Sequence, residues 1–193
     1  MSKSCHYVLE KEYITGIKKQ KLKHLNSKND VLMAKLIQFY VQDDNLNKFL
    51  NVINNKTKLS LRIIDFFITN YAREDEVIYE VNNQKFMVHY SYKAQLKAFS
   101  KKQFDPFCRR ERILFFINDY DGKTNKPIKT TVGQLNFFRW AIKNKILDCI
   151  LANYSEIENK MNKASKNNEN KLTLSASKKI SKHNITITVK FDK

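Results

Sequence analysis

Glycine and proline are nearly missing from this chain: three Gly and two Pro in 193 residues. So few turn-forming residues argue against a loop-rich β-sandwich and for helices with a modest number of strands. Gly16, Gly122 and Gly133 stand alone in the sequence. A phosphate cradle needs clustered glycines to bring backbone N–H groups against the anion, so Walker and dinucleotide motifs are excluded. Cysteine is also scarce. Cys5, Cys108 and Cys149 are odd in number and far apart, with no CxxC pair, which signals neither a disulfide framework nor a zinc site and fits a reducing compartment. Apolar runs such as ILFFI at 113–117 stop at five residues, far short of a membrane span. The amino terminus has no apolar core of a secretory signal, so the protein is expected not to be secreted. The glycosylation-like triplets at Asn55, Asn153 and Asn184 are then chance matches in an Asn-rich chain.

Acidic residues are the other shortage. Nineteen Asp and Glu face 36 Lys and Arg, for a formal charge of +17. An excess of this size points to an anionic partner, nucleic acid first and an acidic membrane surface second. Codon bias offers a competing explanation, because the abundance of Lys, Asn and Ile is what an A/T-rich genome favours. Arginine is not favoured by that drift. Only six of the basic residues are Arg, and three of them, Arg109, Arg110 and Arg112, fall within FDPFCRRERI at 104–113. That cluster carries more information than the lysines.

Hydrophobic residues make up 42% of the chain and aromatics 12%, enough for one buried core. Residues 1–27 read as a basic N-terminal arm with a weak extended segment, YVLEKEYI. Helical spacing starts near Asp30, with Val31, Leu32, Leu36 and Phe39 on a stripe, and resumes at 44–54 through Leu46, Phe49, Leu50 and Ile53. Ser60 is placed to cap a third helix, LRIIDFFITNYAR. The period then shortens to two: VIYEV and QKFMVHYSY read as strands of a hairpin turning at Asn82-Asn83. Ser91 is the expected cap of a short helix, YKAQLKAFSKK, and RILFFIND reads as a buried strand followed by a turn, DYDGKTNKP. Thr131 and Gln134 form a capping-box pattern at the head of TTVGQLNFFRWAIKNK. A further helix is expected through ILDCILANYSEIENKM. Residues 160–171 look like a polar linker, and NITITVKF alternates as a strand that returns to the core. The expectation is a single α+β domain over 28–193, with several short helices, a central hairpin or small mixed or antiparallel sheet, and a C-terminal strand.

No catalytic constellation emerges. NDYDGK resembles a calcium loop, but the first and twelfth positions would be Ile117 and Ile128, which carry no carboxylate. Asp105 with Asp121-Gly-Lys123 has the D-x-K form of a metal-dependent nuclease, in which two carboxylates hold Mg²⁺ and a Lys steadies the phosphate. The pattern is short, and Asp121 falls in a turn. Nothing pairs Cys108 or Cys149 with His6, His24, His89 or His183, and Cys149 reads as a core residue. Adjacent Cys5 and His6 lack further ligands at metal-binding spacing. No cofactor or metal is expected, and the chain reads as non-enzymatic.

The basic stretch from Ser91 to Arg112 remains. It interleaves Lys93, Lys97, Lys101, Lys102, Arg109, Arg110 and Arg112 with Tyr90, Tyr92, Phe99, Phe104 and Phe107. Guanidinium forks suit phosphate oxygens, and aromatic rings stack on exposed bases. If CRRER is extended, Arg110 and Arg112 project to one side and Arg109 with Glu111 to the other. The opposing structural reading packs these aromatics into the core and pairs the arginines with acids. Lys178, Lys179 and Lys182, in a basic loop ahead of the last strand, are expected to extend the same surface.

FDPFCRRERI (104–113), TTVGQLNFFRWAIKNKILDCI (130–150) and KLSLRIIDFFITNYA (58–72) together resemble conserved proteins of nucleocytoplasmic large DNA viruses. That resemblance implies a viral protein acting in the infected-cell cytoplasm, a virus factory or the particle. The expected function is sequence-tolerant association with DNA or RNA through phosphates. The alternatives are a virion scaffold that binds other viral proteins and, more remotely, the nuclease.

Overall fold

The apolar run at 113–117 becomes the middle strand of an antiparallel sheet. The structure is a computed structural model that describes residues 4–9, 28–118 and 127–178, with side chains at Tyr7, 28–116 and 127–166. Strand β1 (Ser4–Leu9), β4 (Arg112–Asn118) and β5 (Ile128–Thr131) lie in the order β1-β4-β5. Leu9 pairs with Ile113 and Tyr7 with Phe115 on one edge of β4, while Thr130 and Ile128 pair with the same two residues on the other. Alternation sends Ile113 and Phe115 into the core, where both are buried. Arg112 and Leu114 therefore share the opposite face with Thr131 and Lys129, their partners across the ladder.

Helices cover the core face. They are α1 (Lys28–Val41), α2 (Asn45–Ile53), α3, α4 (Val88–Ala98), α5 (Val132–Lys143), α6 (Ile146–Ala152) and α7 (Tyr154–Lys178). Helix α3 runs as Leu61–Phe66, passes through a π-helical turn at Phe67–Tyr71 and ends at Ala72–Glu74. Ser60 caps it as expected, accepting from Ile63 N. The π turn disturbs the i→i−4 ladder, and two side chains bond within it. Thr69 Oγ1 donates to the Asp65 carbonyl at 2.8 Å, and His89 Nδ1 lies 3.3 Å from the Ile68 carbonyl. Between α3 and α4 stands a hairpin of β2 (Ile78–Val81) and β3 (Gln84–Met87). Asn82 and Asn83 take φ of 51° and 62°, the left-handed pair a two-residue turn demands.

Helix α5 is buried nearly all round: Leu135, Phe137, Phe138, Trp140, Ala141 and Ile142 all belong to the core. Phe138 meets Phe49 of α2 edge-on at 5.1 Å, and Tyr40 of α1 donates its hydroxyl to the Leu135 carbonyl at 2.7 Å. A buried hydroxyl must find an acceptor, and this one ties α1 to α5. The molecule is a single α+β domain with an antiparallel sheet, as the residue pattern implies. No described helix is long and apolar enough to cross a membrane.

Several local expectations are corrected. Part of the basic arm, Ser4–Leu9, is an edge strand of the sheet. A buried middle strand must satisfy N–H and C=O groups on both edges, and β1 supplies the second edge. Helix α4 begins at Val88, not after Ser91; Ser91 Oγ instead accepts from Trp140 Nε1 at 3.1 Å. The helix through 146–161 breaks at Asn153, whose side chain donates to the Cys149 carbonyl at 3.0 Å. Residues 160–171 are helical within α7, not a linker. The buried Ile157 and the partly buried Met161 anchor the start of α7 on the core, and a helix so nucleated propagates through polar residues. The expected strand at 184–191 lies outside the described residues, as do most of 1–27 and all of the DYDGKTNKP turn but Pro127.

Candidate nucleic-acid interface

Phe104 decides how the segment 99–112 is held. It is 2% exposed and sits among Tyr92, Phe99, Phe137 and Trp140, with ring centroids 5.5–6.1 Å away. Of the aromatics read as base-stacking candidates, Phe104 is thus a core residue, and Tyr92 and Phe99 pack against the core partly buried. Beyond Phe104 the chain turns through Asp105-Pro106-Phe107-Cys108. Cys108 N donates to the Asp105 carbonyl at 3.3 Å, and Asp105 Oδ1 accepts from Phe107 N at 2.8 Å, an Asp-stabilised turn. The first turn of α5 holds this loop from below. Asn136 Nδ2 donates to the Gln103 carbonyl at 2.9 Å, and Gln134 Nε2 to the Pro106 carbonyl at 3.3 Å. Gly133 permits the approach: a Cβ there would lie 2.9 Å from the Lys102 carbonyl oxygen and 3.1 Å from Asp105 N.

A loop fastened in this way presents its remaining side chains outward. Arg109, Arg110 and Arg112 are all exposed, and none forms an ion pair among the described residues. The condition that CRRER be extended is not met, because Glu111 takes a left-handed φ of 54°. Its carboxylate binds Lys102 Nζ, so Lys102 is already partnered. Lys93 and Lys97 are exposed one turn apart on α4, and Tyr90, at 69% exposure, is on the same side one turn earlier. Lys101 is exposed in the turn after α4. Lys178 is the last residue of α7 and its side chain is outside the description; Lys179 and Lys182 lie outside the described residues altogether.

An open cleft of about 290 Å³ lies beside the loop. Ile53, Leu61 and Pro106 give it an apolar lining, Phe107 forms part of its wall, and Arg109, Arg112 and Lys129 supply cations. Thr130, Thr131 and Gln134, at the start of α5, complete it. These three are bonded to one another and to the loop: Thr131 Oγ1 accepts from Gln134 N at 3.1 Å, and Thr130 Oγ1 donates to Gln134 Oε1 at 2.8 Å. The expected capping box is therefore half realised, since the Gln134 side chain goes to Thr130 and Pro106. Lys129 was missed by sequence reasoning. One Lys among thirty carries no signal, and only the register of β5 against β4 places it on the face of Arg112.

Acidic groups flank the basic segment underneath. Burial raises the pKa of Asp65 on α3, and the nearby Asp105 carboxylate raises it further. Tyr92 is raised by burial first, then by the same two carboxylates. A raised carboxyl binds its proton more tightly folded than unfolded, so its ionisation opposes folding above its folded pKa and the cost fades as pH falls. Asp65→Asn is expected to raise the melting temperature at pH 7 and leave it unchanged near pH 3. A shift of equal size at both pH values would mean that the effect is not electrostatic. Cys149, read as a core residue, is half-buried against the core with its thiol raised by burial, while Asp121 and Lys123 of the nuclease pattern lie outside the described residues. Among the described residues no three His, Cys, Asp or Glu side chains group as a metal site.

Comparison with known proteins adds lineage. The model of a family of unknown function (DUF7197) matches residues 13–192. A protein of Acanthamoeba polyphaga mimivirus, described as uncharacterized protein L507, is 36% identical over 136 residues, covering 68% of this chain and 52% of the relative. The chain thus spans about half the length of that curated relative. The resemblance to giant-virus proteins holds. No solved structure matches.

Proposed function

The chain belongs to the DUF7197 family, and we propose that it is a non-enzymatic viral protein that associates with nucleic acid through the phosphate backbone, in the virus factory or the virion. The observation that carries this reading is the state of the arginines. Three guanidiniums stand exposed, and without ion pairs among the described residues, on a loop and the first residue of β4, where a buried Phe and several hydrogen bonds fasten the chain. An arginine that serves the fold finds a carboxylate or carbonyl; these are held out toward solvent, where a phosphate can take them bidentately. Lys93, Lys97 and Lys101 extend the positive charge along α4 and the turn beyond it.

With about six phosphates neutralised, affinity for a DNA duplex is expected to fall roughly 10³-fold between 50 and 200 mM salt. Fluorescence anisotropy with a labelled duplex measures it, and an affinity flat across that range would end the proposal. A second reading, a scaffold that binds viral proteins, is supported by the hairpin. Ile78 and Met87, opposite each other in the ladder, are both exposed, and paired apolar side chains in solvent favour a protein contact. Partners kept after nuclease treatment would favour the scaffold; partners lost would favour nucleic acid.

A further inference from the structure

Phosphate binding alone does not require an exposed aromatic, yet Phe107 is 48% exposed at the edge of the cationic cleft. Its neighbours in sequence, Phe104 and Pro106, are both buried. The backbone on either side of it is fixed by the Asp105 turn and by the Pro106 carbonyl's bond to Gln134. The ring is thus held out, and little ordering remains to be lost when something packs on it. Within the same cleft are Arg109, Arg112 and Lys129. Its volume, about 290 Å³, is at the small end of the range for pockets that enclose a small molecule, roughly 300 Å³. That is room for one nucleotide rather than a stacked run.

We propose that this cleft takes one splayed nucleotide of a single strand, its base stacked on Phe107 and its phosphate held by Arg109, Arg112 and Lys129. The inference rests on the phosphate-binding reading and adds a substrate class to it, single-stranded over double-stranded nucleic acid. In a duplex the bases are stacked on each other and their faces are closed to a protein ring. In a single strand every base offers a free face, and stacking is indifferent to which base it is. The cleft wall points the same way. The Thr130, Thr131 and Gln134 side chains are committed to one another and to the loop, so they are not set up to read a base edge. Binding is accordingly base-tolerant.

The test uses the full chain in anisotropy titrations at low salt, with labelled dT and dA 12-mers and a 12-base-pair duplex. The wild type binds the single strands more tightly than the duplex, with dT and dA within about threefold of each other. Phe107→Ala weakens single-strand binding about 5- to 150-fold, the range for loss of one base–aromatic stack, and leaves duplex binding within twofold. Phe107→Tyr, which keeps the ring, restores the single-strand affinity. Equal losses on single strand and duplex, or no loss on either, overturn the stacking proposal while phosphate binding stands. A strong preference for dT or dA overturns base tolerance. Failure of the wild type to bind any of the three overturns this proposal together with the reading beneath it. A polyglutamate peptide competing as well as dT does would identify an acidic protein as the occupant and likewise overturn the proposal.

Discussion

Phe104→Ala is expected to lower the free energy of unfolding by about 3–5 kcal/mol, the range for truncating a fully buried Phe. Four aromatic neighbours surround this ring, and none of the four can fill its volume without leaving its own packing. A domain of this size is commonly stable by about 5–15 kcal/mol, so the variant is expected to be near the limit of folding. Urea denaturation followed by far-UV circular dichroism measures the change, with an unaltered slope if the same surface unfolds. A functional consequence follows from the same contact. Phe104 precedes the loop that carries Arg109 and Arg110 and leads into Arg112 of β4, so the folded fraction of the variant is expected to hold nucleic acid less tightly. A loss below about 1 kcal/mol would show that the ring is not the anchor of that loop.

The triple variant Arg109→Ala, Arg110→Ala, Arg112→Ala makes the opposite separation, with function lost and fold kept. Each phosphate contact contributes about 0.9 to the slope of log affinity against log salt on duplex DNA. Removing three is therefore expected to flatten the slope by about 2.7 and to cost on the order of 10²- to 10³-fold in affinity near 0.1 M salt. The three side chains are exposed and without ion pairs among the described residues, so stability is expected to stay within about 0.5 kcal/mol of the parent for each change. Arg73→Ala, which removes a cation already paired with Glu74 at 3.3 Å, is the control and should alter affinity less than threefold. An unchanged slope in the triple variant would mean that these guanidiniums do not touch phosphate, and the nucleic-acid reading would fail with them.

Periodicity identified most of the elements. Helices α1, α2, α3 and α5, the Asn82-Asn83 hairpin and the strand at 112–118 were all legible, because each buries one face or stripe and its residues recur at the spacing of that face. The caps at Ser60 and Thr131 were legible for a local reason, a hydroxyl beside an N–H that needs it. Where the reading failed, a distant partner decided the outcome. Nothing in IKTT says that it pairs with Arg112–Phe115, and nothing in Ser4–Leu9 says that it forms the other edge. Ser91 had the chemistry of a cap, but the Trp140 indole engaged it from another helix. The polar run at 160–171 was misread because composition registers low hydrophobicity and is blind to a helix nucleated further back.

The cationic site divides along the same line. That Arg109, Arg110 and Arg112 form a cluster, and that guanidinium is concentrated against the background of lysine, is a property of the chain in one dimension. Composition also settles the single core, the scarcity of turns and the excess of positive charge. Which aromatics of 90–107 face inward, leaving Phe107 and Tyr90 outside, was decided by packing, because ring type does not distinguish a core residue from a stacking platform. Lys129 joined Arg112 only through strand register. Charge and spacing along the chain are written residue by residue, whereas exposure and neighbourhood depend on segments far apart in sequence competing to bury the same surface.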